Sequence, residues 1–259
     1  MRSRLRFTLV SLFGASLVLG AADARADASH DIGGGLHLAF TQMREDLLVP
    51  LRFAGPGTGI SFGYAFDDGG FRLESRVRVT ASAVLDRYGT PNAILLPSLD
   101  LGAQWHLTSF GDTHLALGAF LSLKETVFYP VSWDDAHAYW LGVTSLGPSA
   151  RLMTPLGERH LALDLGIPVV GLVSRPPLHR LYKVDNLVSA GFWLGRFADA
   201  PKLSSVHELQ ALRLRGTWQG NGTGFRIDPF AELDFETFSQ PARMVHVSLY
   251  LGAEARFGL

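Results

Sequence analysis

The final stretch of the chain, MVHVSLYLGAEARFGL from Met244 to Leu259, constrains the fold more than any other. Counted by twos, Val245, Val247, Leu249, Leu251, Ala253, Ala255, Phe257 and Leu259 fall on one side. His246, Ser248, Tyr250, Gly252, Glu254, Arg256 and Gly258 fall on the other. Successive side chains of a β-strand point to opposite faces, so this is a strand with one wholly apolar face.

The same alternation recurs upstream, between turn residues and without helical periodicity. Leu36, Leu38 and Phe40 share a side in GLHLAFT; LLVPLRF follows, and GPGT leads into GISFGYAF, with Ile60, Phe62, Tyr64 and Phe66 aligned. Asp67-Asp68-Gly69-Gly70 suits a two-residue hairpin centred on Asp68-Gly69, setting Phe66 opposite Phe71. From Phe71 to Leu85, Leu73, Val77, Val79, Ala81 and Ala83 oppose Arg72, Glu74, Arg76, Arg78, Thr80 and Ser82. Strands follow over 95–107, where Pro97 is awkward for an interior strand, then over 113–128, 139–152, 160–170 and 186–195. The last hairpin joins 209–218 to 225–237 across Asn221-Gly222. A type I′ turn there pairs Gly220 with Thr223, Trp218 with Phe225 and Arg215 with Asp228. The count is about twelve strands, with ten as the alternative. This parse places Asp68-Gly69 and Asn221-Gly222 at opposite ends of the strands.

Arg2, Arg4 and Arg6 precede an apolar run to Gly20 and the A-x-A segment Ala24-Arg25-Ala26, so residues 1–26 read as a secretory signal peptide and 27–259 as the mature domain. The chain has no cysteine, so disulfides and thiol lipidation are unavailable. The 23 Lys plus Arg against 24 Asp plus Glu argue against a nucleic-acid surface. No later apolar run is long enough for a membrane helix. Yet a mean hydropathy of +0.16 and only 18% charged residues mean that apolar side chains face something other than water.

With its alternating closing strand and Phe257 two places before a terminal apolar residue, the chain resembles bacterial outer-membrane β-barrel proteins over 27–259. It departs from them in ending on Leu259 where they usually end on Phe or Trp. The resemblance implies an all-β, antiparallel, up-and-down transmembrane barrel in the outer membrane. It implies as partners the lipid bilayer and the barrel assembly machinery, which reads the closing strand. A soluble barrel would alternate equally well. Glycines on the polar face (Gly63, Gly102, Gly118, Gly166, Gly191, Gly252) favour the membrane form, because glycine weakens an exposed strand but makes room in a narrow lumen. Trp105, Trp218, Phe225 and Phe257 near strand ends on the apolar face suit an interfacial aromatic girdle.

The polar faces then bring Arg72, Glu74, Arg76, Arg78, Arg213, Arg215, Arg226, Asp228, Glu232, Asp234, Glu236, Glu254 and Arg256 into one lumen, with Asp100, Lys124 and Asp164. Two outcomes remain open. Either a salt-bridge network fills the barrel, or a wet pore carries small solutes through a transverse field between the basic strand from Phe71 and the acidic strand from Phe225. A second class of function is enzymatic. Outer-membrane phospholipases and lipid A deacylases are small barrels with a His and a Ser near the rim, and His246-Val247-Ser248 puts both residues on one face, near Asp234 or Glu236. A third is adhesion, through loops around Trp133 and from Ser174 to Lys183. His106, His114 and His160 lie singly, without metal-ligand spacing, and no cofactor or metal is implied.

Overall fold

The computed structural model describes residues 28–46, 49–129, 137–175, 182–183, 201–220, 224–239 and 242–259. The signal segment, Gly191, Asn221-Gly222, Trp133 and the strand expected over 186–195 lie outside them. Among the described residues the alternation becomes one antiparallel sheet: β1 (Ser29–Glu45), β2 (Val49–Asp67), β3 (Phe71–Leu85), β4 (Pro91–Phe110), β5 (Thr113–Tyr129), β6 (His137–Leu156), β7 (Arg159–Gly166), β8 (Val170–Ser174), β9 (Tyr182–Lys183), β10 (Lys202–Ser205), β11 (Leu209–Gly220), β12 (Gly224–Phe238) and β13 (Met244–Gly258).

The sheet closes on itself. β1 to β7 pair in sequence, then come β11, β12 and β13, and β13 returns to β1, giving a ring of ten strands. The seam between β1 and β13 runs from Asp31↔Gly258 to Glu45↔Met244, so the C-terminal strand is the one that closes the barrel. β8 and β10 are two further strands, bringing the number to twelve, and the two-residue β9 pairs with the start of β6. β8 runs on from β7 along β6: Ile167 and Val169 donate backbone hydrogen bonds to Pro148 and Leu146 on either side of Pro168, which has no N–H to give.

Two sequence expectations are corrected here. The described part of the expected strand 47–53, from Val49, and the segment 59–66 are one strand, β2, because Gly55-Pro56-Gly57-Thr58 does not turn. An added Cβ at Gly55 would lie 2.0 Å from the Ala83 carbonyl oxygen, so these glycines let β2 run close against β3. The ring passes from β7 straight to β11, so an even number of strands, β3 to β7 and β11, separates the β2–β3 connection from the β11–β12 one and sets the two at the same end, not at opposite ends. The connections 68–70, 111–112, 157–158 and 221–223 therefore all lie at one end, the turn end, together with Ser29 and Leu259. Gly69, Gly111, Gly157 and Gly224 sit there at positive φ, a conformation that favours glycine. The described connection 86–90 lies at the other, loop end.

The second correction concerns register. Phe66 opposes Leu73 and Asp67 opposes Arg72, leaving Gly69-Gly70 at the tip. The Asp68 carboxylate accepts from the amides of Gly70 (2.9 Å) and Phe71 (2.6 Å) and so moves the turn one residue along. Likewise Arg215 opposes Glu232 rather than Asp228, and Trp218 opposes Leu161 of β7 rather than Phe225. Both slips are even, so every residue keeps its expected face. Leu36, Leu38, Phe40, Phe62, Leu214 and Leu251 point outward and are exposed, while Arg76, Asp228 and Glu232 point inward and are buried.

Candidate functional site: the charged lumen

The thirteen charged residues grouped from sequence lie on the inner side of the ring, and each takes part in an ion pair. Glu232 on β12 is the hub, 1% exposed and surrounded by four guanidinium groups. Its carboxylate lies 2.7 Å from Arg78, 3.1 Å from Arg215, and 3.8 Å from both Arg76 and Arg213. Around it Lys124 meets Asp234 at 2.6 Å, Arg213 meets Asp100 at 2.6 Å and Arg215 meets Glu254 at 2.7 Å. Arg76 hydrogen-bonds Glu74, and Arg256 reaches Glu254 at 2.7 Å. Toward the turn end Arg226 bridges Asp228 (3.0 Å) and Asp31 (2.5 Å), and Arg151 holds Asp164 at 2.9 Å.

Asp31 and Arg151 were not anticipated from sequence. Asp31 precedes the first recognised alternation, and Arg151 sits in β6, where SLGPSARLMT blurs the period. With them this network holds nine cations (Arg72, Arg76, Arg78, Lys124, Arg151, Arg213, Arg215, Arg226, Arg256) and nine carboxylates (Asp31, Glu74, Asp100, Asp164, Asp228, Glu232, Asp234, Glu236, Glu254), and the pair Glu45–Arg175 lies apart from it at the loop end. Low-dielectric surroundings make an unmatched charge costly, and matching removes that cost. The basic strand β3 and acidic strand β12 do not face each other across a gap: their side chains touch.

Aromatic rings sit beside this network. Arg78 stacks over Tyr250 and Arg215 over Phe230, each 4.0 Å from the ring centroid. His37 packs edge-on to Tyr250 and hydrogen-bonds Thr80 at 2.8 Å through Nε2. It fits because two glycines lack side chains. An added Cβ at Gly59 would meet the His37 ring at 2.5 Å, and one at Gly252 would meet His37 Cβ at 2.8 Å. Of these two only Gly252 was among the polar-face glycines named from sequence, and at Gly102, also named there, an added Cβ would meet nothing within 4 Å. At Gly118 the reason differs, since an added Cβ would strike the Ala103 carbonyl oxygen at 1.9 Å, a close backbone approach between β4 and β5.

The loop-end half of the lumen is apolar, which the sequence reading missed. Met43, Phe53, Val84, Ile94, Leu96, Phe128, Leu141, Val143, Leu209, Phe238 and Met244 point inward, none more than 3% exposed, and form one packed cluster. Phe53 and Phe128 stack with centroids 4.6 Å apart. At its margin Glu45, at the end of β1, accepts hydrogen bonds from Tyr139 and from Arg175 (2.5 Å), which begins the longest connection. At the turn end the lumen opens instead into a vestibule of about 320 Å³, lined by Arg72, Gln104, His106, His114 and Arg151. His106 and His114 share the Ser109 hydroxyl, at 3.1 and 2.9 Å.

His246 and Ser248 are in contact, Ser248 Oγ to His246 Nε2 at 3.1 Å, with Glu236 Oε2 4.0 Å from His246 Nδ1. The order serine, histidine, carboxylate is present, but Ser248 is 0% exposed and hydrogen-bonds Thr41 at 3.3 Å. Trp105, Trp218, Phe225 and Phe257 all point outward near the turn end, with Phe225 directly opposite Phe257 and Trp105 against Phe71.

The chain is similar to solved outer-membrane barrels. The translocator domain of the autotransporter NalP from Neisseria meningitidis shares 11% identity over 96% of each chain, with a TM-score of 0.43. The outer membrane protease OmpT from Escherichia coli shares 6% over 90% of this chain and 97% of that one, TM-score 0.48. An outer membrane channel from Pseudomonas putida F1 shares 12% over 91% and 98%, TM-score 0.36. No family model and no curated protein matches.

Proposed function

We propose that this is an outer-membrane protein whose barrel spans the bilayer with a closed lumen and serves as a rigid membrane scaffold, with the turn end in the periplasm and the loop end outside. Spanning is supported by the continuous outward band of Leu, Ile, Phe and Trp, since an apolar surface this extended has no place in water. Orientation follows from the short turns, which face the periplasm in barrels of this class. Trp105, Trp218, Phe225 and Phe257 then form a girdle at the periplasmic interface, and β13 is the strand offered to the assembly machinery.

The observation that carries closure is the inward apolar cluster around Phe53, Phe128 and Phe238, stacked on a charge-balanced network with Glu232 at its centre. Water and ions have no favourable path through packed hydrocarbon. Purified protein in planar bilayers is expected to give no ion-conducting steps, and stable single-channel steps from the wild type would replace this reading with a passive channel for small solutes. The serine–histidine–glutamate contact favours a hydrolase as the second reading, but a lipid cannot reach a fully buried hydroxyl. Phospholipase and deacylase assays are expected to read the same for wild type and Ser248→Ala.

A further inference from the structure

Outward-facing residues of β1 change character along the strand, from Leu36, Leu38 and Phe40 to Gln42 and Arg44 at the loop end. Arg44 is directly opposite Arg52 of β2 on the same outer face. Like charges set opposite each other across a strand pair destabilise it. A third cation adjoins them: Arg243 precedes β13, and its carbonyl accepts from the Asp46 amide at 2.9 Å. Asp46 binds Arg44 at 2.7 Å and so accounts for one of the three guanidinium groups. Gln42, Arg44, Arg52, Arg243 and Val245 line one groove of about 180 Å³ on the outside of the barrel. Beside it a second groove, about 360 Å³, shares Arg243 and Val245 and adds His207 and Glu208, the latter paired with Lys202 at 3.3 Å.

We propose that this groove binds the phosphate-bearing headgroup of an outer-leaflet lipid, a site that rests on the membrane-spanning reading above. Guanidinium groups pair with phosphate through parallel N–H donors, and two phosphate charges would offset the excess of cations over Asp46. A lipid fits better than a free anion because the apolar strip continues directly below. Phe40 (52% exposed) and Leu38 (69%) on β1, with Leu249 (43%) on β13, offer a track for an acyl chain whose head sits among the arginines.

The test is native mass spectrometry of the full-length protein in detergent, titrated with phosphatidic acid, phosphatidylcholine or inorganic phosphate, in wild type and the Arg52→Gln/Arg243→Gln variant. Both substituted residues are exposed and outside the lumen network, and heat-modifiable gel mobility reports whether the variant barrel is folded. Phosphatidic acid is expected to be retained by the wild type at least about tenfold more than by the variant, as loss of charge-assisted bonds implies. Phosphatidylcholine and inorganic phosphate are expected to bind both proteins weakly and equally. Equal retention of phosphatidic acid by the two proteins, or competition by inorganic phosphate at the lipid's own concentration, would overturn the proposal. Flotation of wild-type protein with carbonate-washed liposomes tests the membrane reading separately, so either can fail without the other.

Discussion

At the scale of single residues, the energetics concentrate on Glu232. Its carboxylate is the common ion-pair partner of Arg76, Arg78, Arg213 and Arg215, so neutralising it strands several buried cations at once. Removing one partner of a buried pair costs about 3–5 kcal/mol. Glu232→Gln is expected to lose an amount of that order in urea unfolding of the refolded barrel, followed by tryptophan fluorescence. Glu232→Gln combined with Arg78→Met should recover part of it. Asp86, in the connection between β3 and β4, is a milder case. Its carboxylate accepts from the amides of Thr90 and Tyr88, each at 2.8 Å, and these bonds hold its pKa below the ordinary aspartate value. Because the folded value is the lower one, the contribution is fully present above the unfolded pKa, near about 3.9, and is lost as pH falls through the folded value. Protection of the Thr90 amide, relative to its intrinsic exchange rate, should therefore fall only under strongly acidic conditions in the wild type, and in Asp86→Ala should already be lower at neutral pH.

At the scale of elements, alternation located the strand faces correctly and register only in part. A slip of two or four residues leaves each side chain on its own face, so the agreement of faces that made Arg215 and Asp228 look like partners could not exclude Glu232. Turn chemistry failed for a related reason. Asp68 was expected at the tip of the β2–β3 hairpin but instead braces it from one position before, and Gly55-Pro56-Gly57 has the composition of a turn but lies inside β2. Gly118 gives the element-scale prediction. An added methyl there meets backbone, Ala103 O at 1.9 Å and Gln104 Cα at 2.6 Å, and backbone cannot swing aside as a side-chain tip can. Gly118→Ala is expected to cost about 1–3 kcal/mol and to lower the folded fraction on a heat-modifiability gel, whereas Gly102→Ala, with nothing within 4 Å, should be tolerated.

For the molecule as a whole, the decisive question is what the outer face touches. Leu251 lies near the middle of β13, outward and 53% exposed. In water an exposed Leu→Arg change stays within about 0.5 kcal/mol, but on a lipid-facing barrel surface an arginine near the midplane costs about 2–4 kcal/mol. Leu251→Arg measured in liposomes is expected to show the larger figure, and a near-neutral result would return the chain to the soluble class.

Much of this architecture is written in the order of residues, because a period of two is a local property that survives any tertiary context. It set which side chains look inward, grouped thirteen charges on the polar faces, and marked the last stretch as a closing strand. The apolar end could not be read in this way, since AILLPSL in β4 and VPLRF in β2 are apolar on both faces and alternation carries no sign there. Which charges pair, and that their signs cancel, depended on side chains up to 195 residues apart meeting inside the ring, as Arg226 and Asp31 do. Ring closure decides that meeting: ten strands set how near opposite walls come, and no stretch of sequence holds that distance by itself.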